Sequence, residues 1–232
     1  MDGRARWTRL WLSLKYRLFH RGYRRLVLER IPEAAFVVLP DVFNPVLFRI
    51  GPFLGRAAAK LIASAASAPI RVLDVGTGSG VCAVLTAQAG AALVAIDVNP
   101  EAVRCAKINA LLNGLEERIE VRLGNLFEGL DAERFDLVLF SPPFYIGRPQ
   151  DWLDHAWRSE DVFERFAEGL PAVLKQDGQA LIALSTDGAC QYFLNLLRQR
   201  RFEVSLHQQE HWGNEMASIY SVRPPEQKTA RR

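Results

Sequence analysis

Between residues 70 and 222, apolar runs of strand length alternate with helical periodicities. Residues 70–75 are apolar and β-branched, as a buried strand requires. They run into Gly76, Gly78 and Gly80 and then a helix over 81–89, whose apolar face comes from Leu85 and its neighbouring alanines and valines. A second apolar run, 91–96, ends in Asp97. Asn99 and Pro100 then supply an N-cap and a first-turn proline for a helix that stops at Asn113-Gly114. Further strands are predicted at 119–123, leading into Gly124-Asn125-Leu126, and at 135–140, ending abruptly in Ser141-Pro142-Pro143-Phe144. Ser159 is placed to cap a helix with Phe163, Phe166, Leu170, Val173 and Leu174 on one face, which Pro171 should bend. Asp177-Gly178 turns into a strand at 180–184, and Asp187 caps a helix through Leu197. The last two strands, 202–206 and 217–222, alternate and meet through Trp212-Gly213-Asn214, the pattern of an antiparallel hairpin.

Upstream of this body the pattern changes. Trp7, Leu10, Trp11, Leu14, Leu18 and Phe19 recur at three- and four-residue steps among arginines, so residues 1–34 are predicted to be a basic, aromatic helical segment, a lid or an arm. Such a helix suits a phosphate-rich partner, a membrane surface or a transit peptide. It equally suits a helix that lays its aromatic side on the domain, and the aromatic spacing favours that last reading. Val37-Val38-Leu39-Pro40-Asp41-Val42-Phe43-Asn44-Pro45 is an apolar run interrupted by two prolines, an ordered extended segment and not a linker; a helix follows over 52–66. One domain is predicted over 35–222, with a disordered basic tail at 223–232.

Charge sharpens this division. Residues 1–30 hold nine Arg or Lys against Asp2 and Glu29, whereas the rest of the chain carries 20 basic against 24 acidic side chains. The body is therefore mildly acidic, and the net charge of +3 resides in the N-terminal segment. Cys82, Cys105 and Cys190 lie far apart and, with His20, His155, His207 and His211, make no ligand spacing. They read as reduced thiols of a cytoplasmic protein without a metal site. No apolar stretch is long and uncharged enough to span a bilayer.

Strands alternating with helices give a parallel sheet whose ligands sit outside the strands' C-terminal ends. Gly76 to Gly80, Asp97, Asn125 and Ser141 to Phe144 all fall at such ends. The glycines allow positive φ and close approach of a ligand to the backbone. Asp97, at the tip of the second strand, is placed to accept hydrogen bonds from ribose hydroxyls.

This constellation resembles the class I S-adenosylmethionine-dependent methyltransferases over residues 35–222. Their fold is a Rossmann-like α/β architecture, a seven-stranded, mostly parallel sheet with a C-terminal antiparallel hairpin, here with N-terminal helices added. Ser141-Pro142-Pro143-Phe144 resembles the signature of methyltransferases acting on amide or exocyclic amino nitrogen, and Leu39-Pro40 is similar to the lead-in of the release-factor glutamine methyltransferases. The resemblance implies S-adenosyl-L-methionine as cofactor, held by Asp74, Gly76, Thr77, Gly78 and Gly80, by Asp97 and Val98 at the ribose, by Asn125 and Leu126 at the adenine, and by Ser141. Two positions depart from the pattern: Asn125 stands where the family usually has Asp, and Ser141 stands where the glutamine enzymes have Asn.

An amide or aryl amine nitrogen is a poor nucleophile because its lone pair is delocalised. Two successive prolines stiffen the turn, so the Pro142 carbonyl and the Ser141 hydroxyl can hold two N–H groups and aim the lone pair. Phe144 offers a ring face to a planar or positive acceptor. Ser141, Pro142 and Phe144 are thus the candidate catalytic residues, and Phe144, Tyr145, Trp152, His155 and Trp157 the candidate acceptor-binding ones. Methyl transfer to nitrogen of a small molecule or peptide is the function expected. Alternatives are an amino-methyltransferase of RNA or single-stranded nucleic acid, other chemistry on the cofactor, or a non-catalytic cofactor-binding subunit. Duplex DNA is not expected as a partner, since Asp151 and Asp154 oppose Arg148 beside the pocket and no base-reading module is left over. A membrane is not expected either.

Overall fold

The computed structural model describes residues 25–65, 70–152, 154–185, 189–213 and 215–225. The amphipathic pattern at residues 7–19, the Asp187 cap, Asn214 of the hairpin turn and residues 226–232 lie outside the described residues.

Among the described residues, five helices and seven strands build the body. The strands are β3 (Arg71–Val75), β4 (Ala92–Asp97), β5 (Ile119–Leu123), β6 (Phe135–Phe140), β9 (Leu174–Ser185), β10 (Glu203–Trp212) and β11 (Glu215–Arg223). They lie in the order β10-β11-β9-β6-β3-β4-β5, parallel except for β11, which runs antiparallel to both β9 and β10. The Rossmann-like sheet with its terminal hairpin is therefore present. Because both faces of the sheet are covered, its central strands are apolar at successive positions. Val72, Leu93, Leu137 and Leu181 face a core with α1 (Ile50–Ser64), α2 (Val81–Gln88) and α3 (Pro100–Leu112). Leu73, Val94, Val138 and Ile182 face the opposite core, with α4 (Val162–Val173) and α5 (Cys190–Gln199).

Four local expectations are corrected. Residues 25–34, expected to continue a helical segment, hold β1 (Val27–Arg30), which pairs antiparallel with β2 (Ala35–Val38). Its burial alternates with period two, Leu28 and Arg30 outward, and the neighbouring arginines masked that alternation. Ser159 caps no helix. It belongs to a two-residue parallel ladder between β7 (Tyr145–Ile146) and β8 (Arg158–Ser159), and α4 starts after Asp161. Asp177-Gly178 does not precede the strand but lies inside β9, where the register with β6 slips between Phe135–Leu174 and Leu137–Gln179. The tail begins later than expected: Arg223 pairs with Glu203 in the hairpin, and the Pro225 carbonyl accepts a hydrogen bond from Gln176. Pro171 falls in the last turn of α4, which ends two residues later at Val173.

The β1–β2 hairpin stands apart from the main sheet and is held by side chains of α3. The Asn109 amide accepts from Val37 N (2.7 Å) and donates to Val37 O (2.7 Å), pairing with β2 much as a neighbouring strand would. One turn on, Asn113 Nδ2 donates to Ala35 O at 3.0 Å. From β2 the chain runs as a strap, residues 39–49, across the C-terminal ends of the parallel strands and into α1. Asn44, 3 % exposed, folds the strap by accepting from Val46 N and Leu47 N and donating to Glu29 Oε1 (2.8 Å).

Candidate functional site

The turn after β3 is tied to β4 before any ligand enters. Gly76 N and Thr77 N both donate to Ile96 O, at 2.8 and 3.1 Å. Gly76, Gly78 and Gly80 have φ of +68°, +57° and +80°, a run of left-handed conformations that side chains with a Cβ resist. Gly80 also needs its hydrogen for space, because a Cβ there would sit 3.2 Å from Ala106 Cα of α3.

Two carboxylates flank this turn. Asp97 accepts from Gly78 N on Oδ2 (2.8 Å) and from Asn99 N on Oδ1 (2.9 Å), so each oxygen keeps a lone pair for a further donor. Burial pushes its carboxyl above the ordinary carboxylate range, opposed by those N–H bonds and by nearby His155. Asp74, 3 % exposed, accepts the Thr77 hydroxyl at 2.6 Å. Burial, reinforced by Asp97 and opposed by Thr77, raises its pKa to about 7.

Across the cleft lies the turn after β6. Ser141, Pro142, Pro143 and Phe144 line the opening, and among the described residues the Ser141 hydroxyl has no hydrogen-bond partner. Phe144 packs on Trp157 (ring centroids 5.8 Å), which in turn meets Phe43 (5.3 Å) and Phe48 (4.9 Å) of the strap. Phe43, Phe48 and Phe144 line the cleft, so three rings backed by a buried indole form one wall. Trp152, 47 % exposed, stacks on His155 (5.5 Å) at the mouth. Asp154 pins this loop by accepting from Gln150 N and from Arg158 Nε (3.1 Å). Two non-glycine residues with left-handed backbone, Asp41 (φ +61°) and Leu126 (φ +56°), also line the opening, where such strain is commonly retained for function.

The cleft thus gathers Asp74, Gly76, Thr77, Gly78, Asp97, Val98, Asn125, Leu126, Ser141, Pro142, Phe144, Trp152 and His155. Three candidates lie off it. Gly80 supports the turn from behind against α3. Trp157 is 9 % exposed and packs beneath the wall it was expected to form. Tyr145 sits in the β7 ladder, its N–H on Trp157 O and the Arg158 guanidinium over its ring. Of the acids expected beside the pocket, Asp154 is turned inward to Arg158, and Asp151, which accepts from Asp154 N, does not line the opening; Asp41 does. The strap residues Asp41, Phe43 and Phe48 were not among the sequence candidates. Their signal was the proline-interrupted apolar run, which announced order but no chemistry. Among the described residues no three His, Cys, Asp or Glu gather for a metal, and no helix is long and apolar enough to cross a membrane.

This donor set fits S-adenosylmethionine. The exposed edge of the glycine turn leaves room where a Cβ on Gly76 would meet nothing within 4 Å, Asp97 retains acceptors for a ribose diol, and Asp74 is a buried acid suited to a cationic ligand.

Comparison with known proteins agrees. The family model for the methyltransferase small domain matches residues 56–205. A putative protein N5-glutamine methyltransferase of Methanocaldococcus jannaschii is 32 % identical over 145 residues, 58 % of this chain and 72 % of that protein. The tRNA1(Val) (adenine(37)-N6)-methyltransferase of Bacteroides thetaiotaomicron is 28 % identical over 143 residues; here the chain spans 56 % of its own length but 60 % of the relative's. Among solved structures, the T. thermophilus 16S rRNA N2 G1207 methyltransferase in complex with AdoMet and guanosine superposes with a TM-score of 0.66 at 20 % identity, over 86 % of this chain and 50 % of that one. Matched by the family model through the glycine turn, Asp97 and the turn after β6, the chain belongs to the methyltransferase small domain family and is an S-adenosylmethionine-dependent methyltransferase.

Proposed function

We propose that the chain methylates a planar nitrogen, an amide or amine of a small molecule or peptide. The observation that carries this reading is the turn Ser141-Pro142-Pro143-Phe144. It pairs a hydroxyl without a protein partner among the described residues with a ring face on the opposite side of the cleft from the glycine turn. The cofactor, when bound, supplies an electrophilic methyl on a sulfonium. The chain's own residues do the rest. Ser141 takes one N–H of the acceptor, Pro142 offers its carbonyl to another, and Phe144 with Phe43 and Phe48 fixes the plane of the acceptor and excludes water. Together they orient the nitrogen lone pair along one line, and that orientation is the main catalytic contribution. The acceptor's proton is free to leave to solvent after transfer, so no side chain is assigned as base. Asp41 at the opening suits a neutral or cationic acceptor better than a polyphosphate. The glutamine-directed relative supports an amide.

A second reading, the exocyclic amine of an RNA base, is favoured by Trp152 stacked on His155 at the mouth and by the tRNA adenine relative. Tritiated methyl transfer should be measured with glutamine-containing peptides, small amines, bulk tRNA and duplex DNA in parallel. Transfer to peptides or amines above the rest supports the first reading. Faster transfer to tRNA, lost steeply with salt, replaces it with the second.

A further inference from the structure

The geometry points to Asn109 as a positioning residue that clamps the cofactor turn to β2, at the root of the acceptor-side strap, although it does not line the cleft. Its side chain is fully buried at 0 % exposure and lies on α3 behind the cleft. One amide group makes three hydrogen bonds of 2.7 to 2.8 Å: it accepts from Val37 N, donates to Val37 O, and donates to Ser79 O. Val37 lies in β2, two residues before the strap, and Ser79 lies between Gly78 and Gly80, so one planar group sets the separation of the strap's root from the cofactor turn.

Neighbouring contacts repeat the linkage. One turn earlier on α3, Ala106 meets Gly80 so closely that a Cβ there would be 3.2 Å away. Near the start of the strap, four residues past Val37, Asp41 O accepts from Asn99 Nδ2 at 2.9 Å while Asn99 N holds Asp97. Two residues further on, Phe43 meets the turn, its Cβ 4.0 Å from where a Gly78 Cβ would be. A segment anchored at Val37 and Asp41 and in contact with the turn at Phe43, just beyond them, moves with it. Asn113, on the same helix face, offers a built-in contrast. It donates to Ala35 O and Asn109 O, thereby binding the same hairpin without reaching the turn.

Removing the Asn109 donors leaves the Ser79 carbonyl without its amide partner and Val37 O with only the Cys105 thiol (3.1 Å), and frees the turn from the strap. Loss of Asn113 costs stability but leaves that coupling intact. This role presupposes the cofactor reading, which binding of S-adenosylhomocysteine to the wild-type chain tests separately; wild-type protein that binds none overturns both. Calorimetry with S-adenosylhomocysteine on Asn109→Ser, Asn113→Ala, Phe43→Leu and the Asn109→Ser/Phe43→Leu double variant reads the coupling. Asn109→Ser should weaken binding about tenfold and Asn113→Ala less than about twofold, even at matched loss of melting temperature. Phe43→Leu should weaken binding several-fold in the wild-type background and hardly at all in Asn109→Ser, because the strap is already uncoupled there. Equal effects of Asn109→Ser and Asn113→Ala, or multiplicative effects in the double variant, overturn the assignment. If Asn109→Ser does not fold, Asn109→Asp, which keeps the size and the acceptor for Val37 N, is read in the same way; failure of both to fold reduces Asn109 to scaffold and overturns it too.

Discussion

Replacing Asp74 with asparagine should remove a large part of the pH dependence of stability. The carboxyl titrates at an ordinary 3.8 when unfolded and at about 7 in the folded chain, mainly because burial disfavours its charged form. The folded state therefore holds a proton that the unfolded state has released, and linkage makes stability fall as pH rises between those two values. The slope is about 1.4 kcal/mol per pH unit, so the contribution amounts to about 4 kcal/mol by pH 7 and flattens above it. Asp97 shifts in the same direction, and for that reason the variant is compared with wild type and not with a flat baseline. The substituted amide would keep an acceptor for the Thr77 hydroxyl and the same volume, so Asp74→Asn isolates the ionisation. Urea denaturation of the two ligand-free proteins from pH 4 to 8 should give stability curves that diverge steadily, wild type losing ground toward pH 8. A cationic cofactor beside Asp74 favours its charged form, so binding near pH 7 should release a proton. Calorimetry of wild type in phosphate and in Tris would then give different apparent enthalpies, and the Asp74→Asn variant a smaller difference. Parallel stability curves for the two proteins refute the reasoning.

Asp97→Ala should weaken S-adenosylhomocysteine binding by about 2–3 kcal/mol, since a charged acceptor of two hydroxyls is lost; unchanged affinity by calorimetry removes the residue from the ribose site. Ser141→Ala should leave stability within about 0.5 kcal/mol, its hydroxyl having no partner among the described residues, and yet lower turnover on whichever acceptor is active. Gly80→Ala should destabilise by at least about 1–2 kcal/mol, combining positive φ with the Ala106 contact, which thermal denaturation will register. Arg201, exposed with φ +67° just past the end of α5, should gain about 1 kcal/mol on replacement by glycine, seen as a higher melting temperature.

The parallel strands were legible because burial on both faces leaves unbroken apolar runs, and the glycine turn and Asp97 because strand ends of this kind have few chemical solutions. Asn99 was legible as a cap, and its Oδ1 does accept from Glu101 N. Its second role, holding Asp41 O, depends on a residue 58 positions away, which no local pattern encodes. The same holds for β2, whose outer edge is satisfied by asparagine side chains of a helix instead of another strand. Ser159 misled because a serine before a helix satisfies the capping pattern whether or not its backbone is already committed to a ladder. Trp152 and Trp157 look alike in sequence, and only the packing of Phe43, Phe48 and Phe144 around one of them separates the rim indole from the supporting one.

The bond between Val37 and Asn109 spans 72 positions of the chain. During synthesis the strap is made first, and its docking surface exists only once α3 has been translated. At about 5–20 residues per second, that interval lasts roughly 4–14 s, with Val37, Val38, Leu39, Val42 and Phe43 still waiting for the surfaces that bury them. Closing so long a loop carries an entropic cost that only the docked strap's contacts offset. The cleft is therefore completed only after α3, and its far wall around residues 141–157 follows later still. A nascent chain acquires the ability to bind cofactor late, and a ribosome stalled between the strap and α3 presents an apolar segment to chaperones while the site that it belongs to does not yet exist.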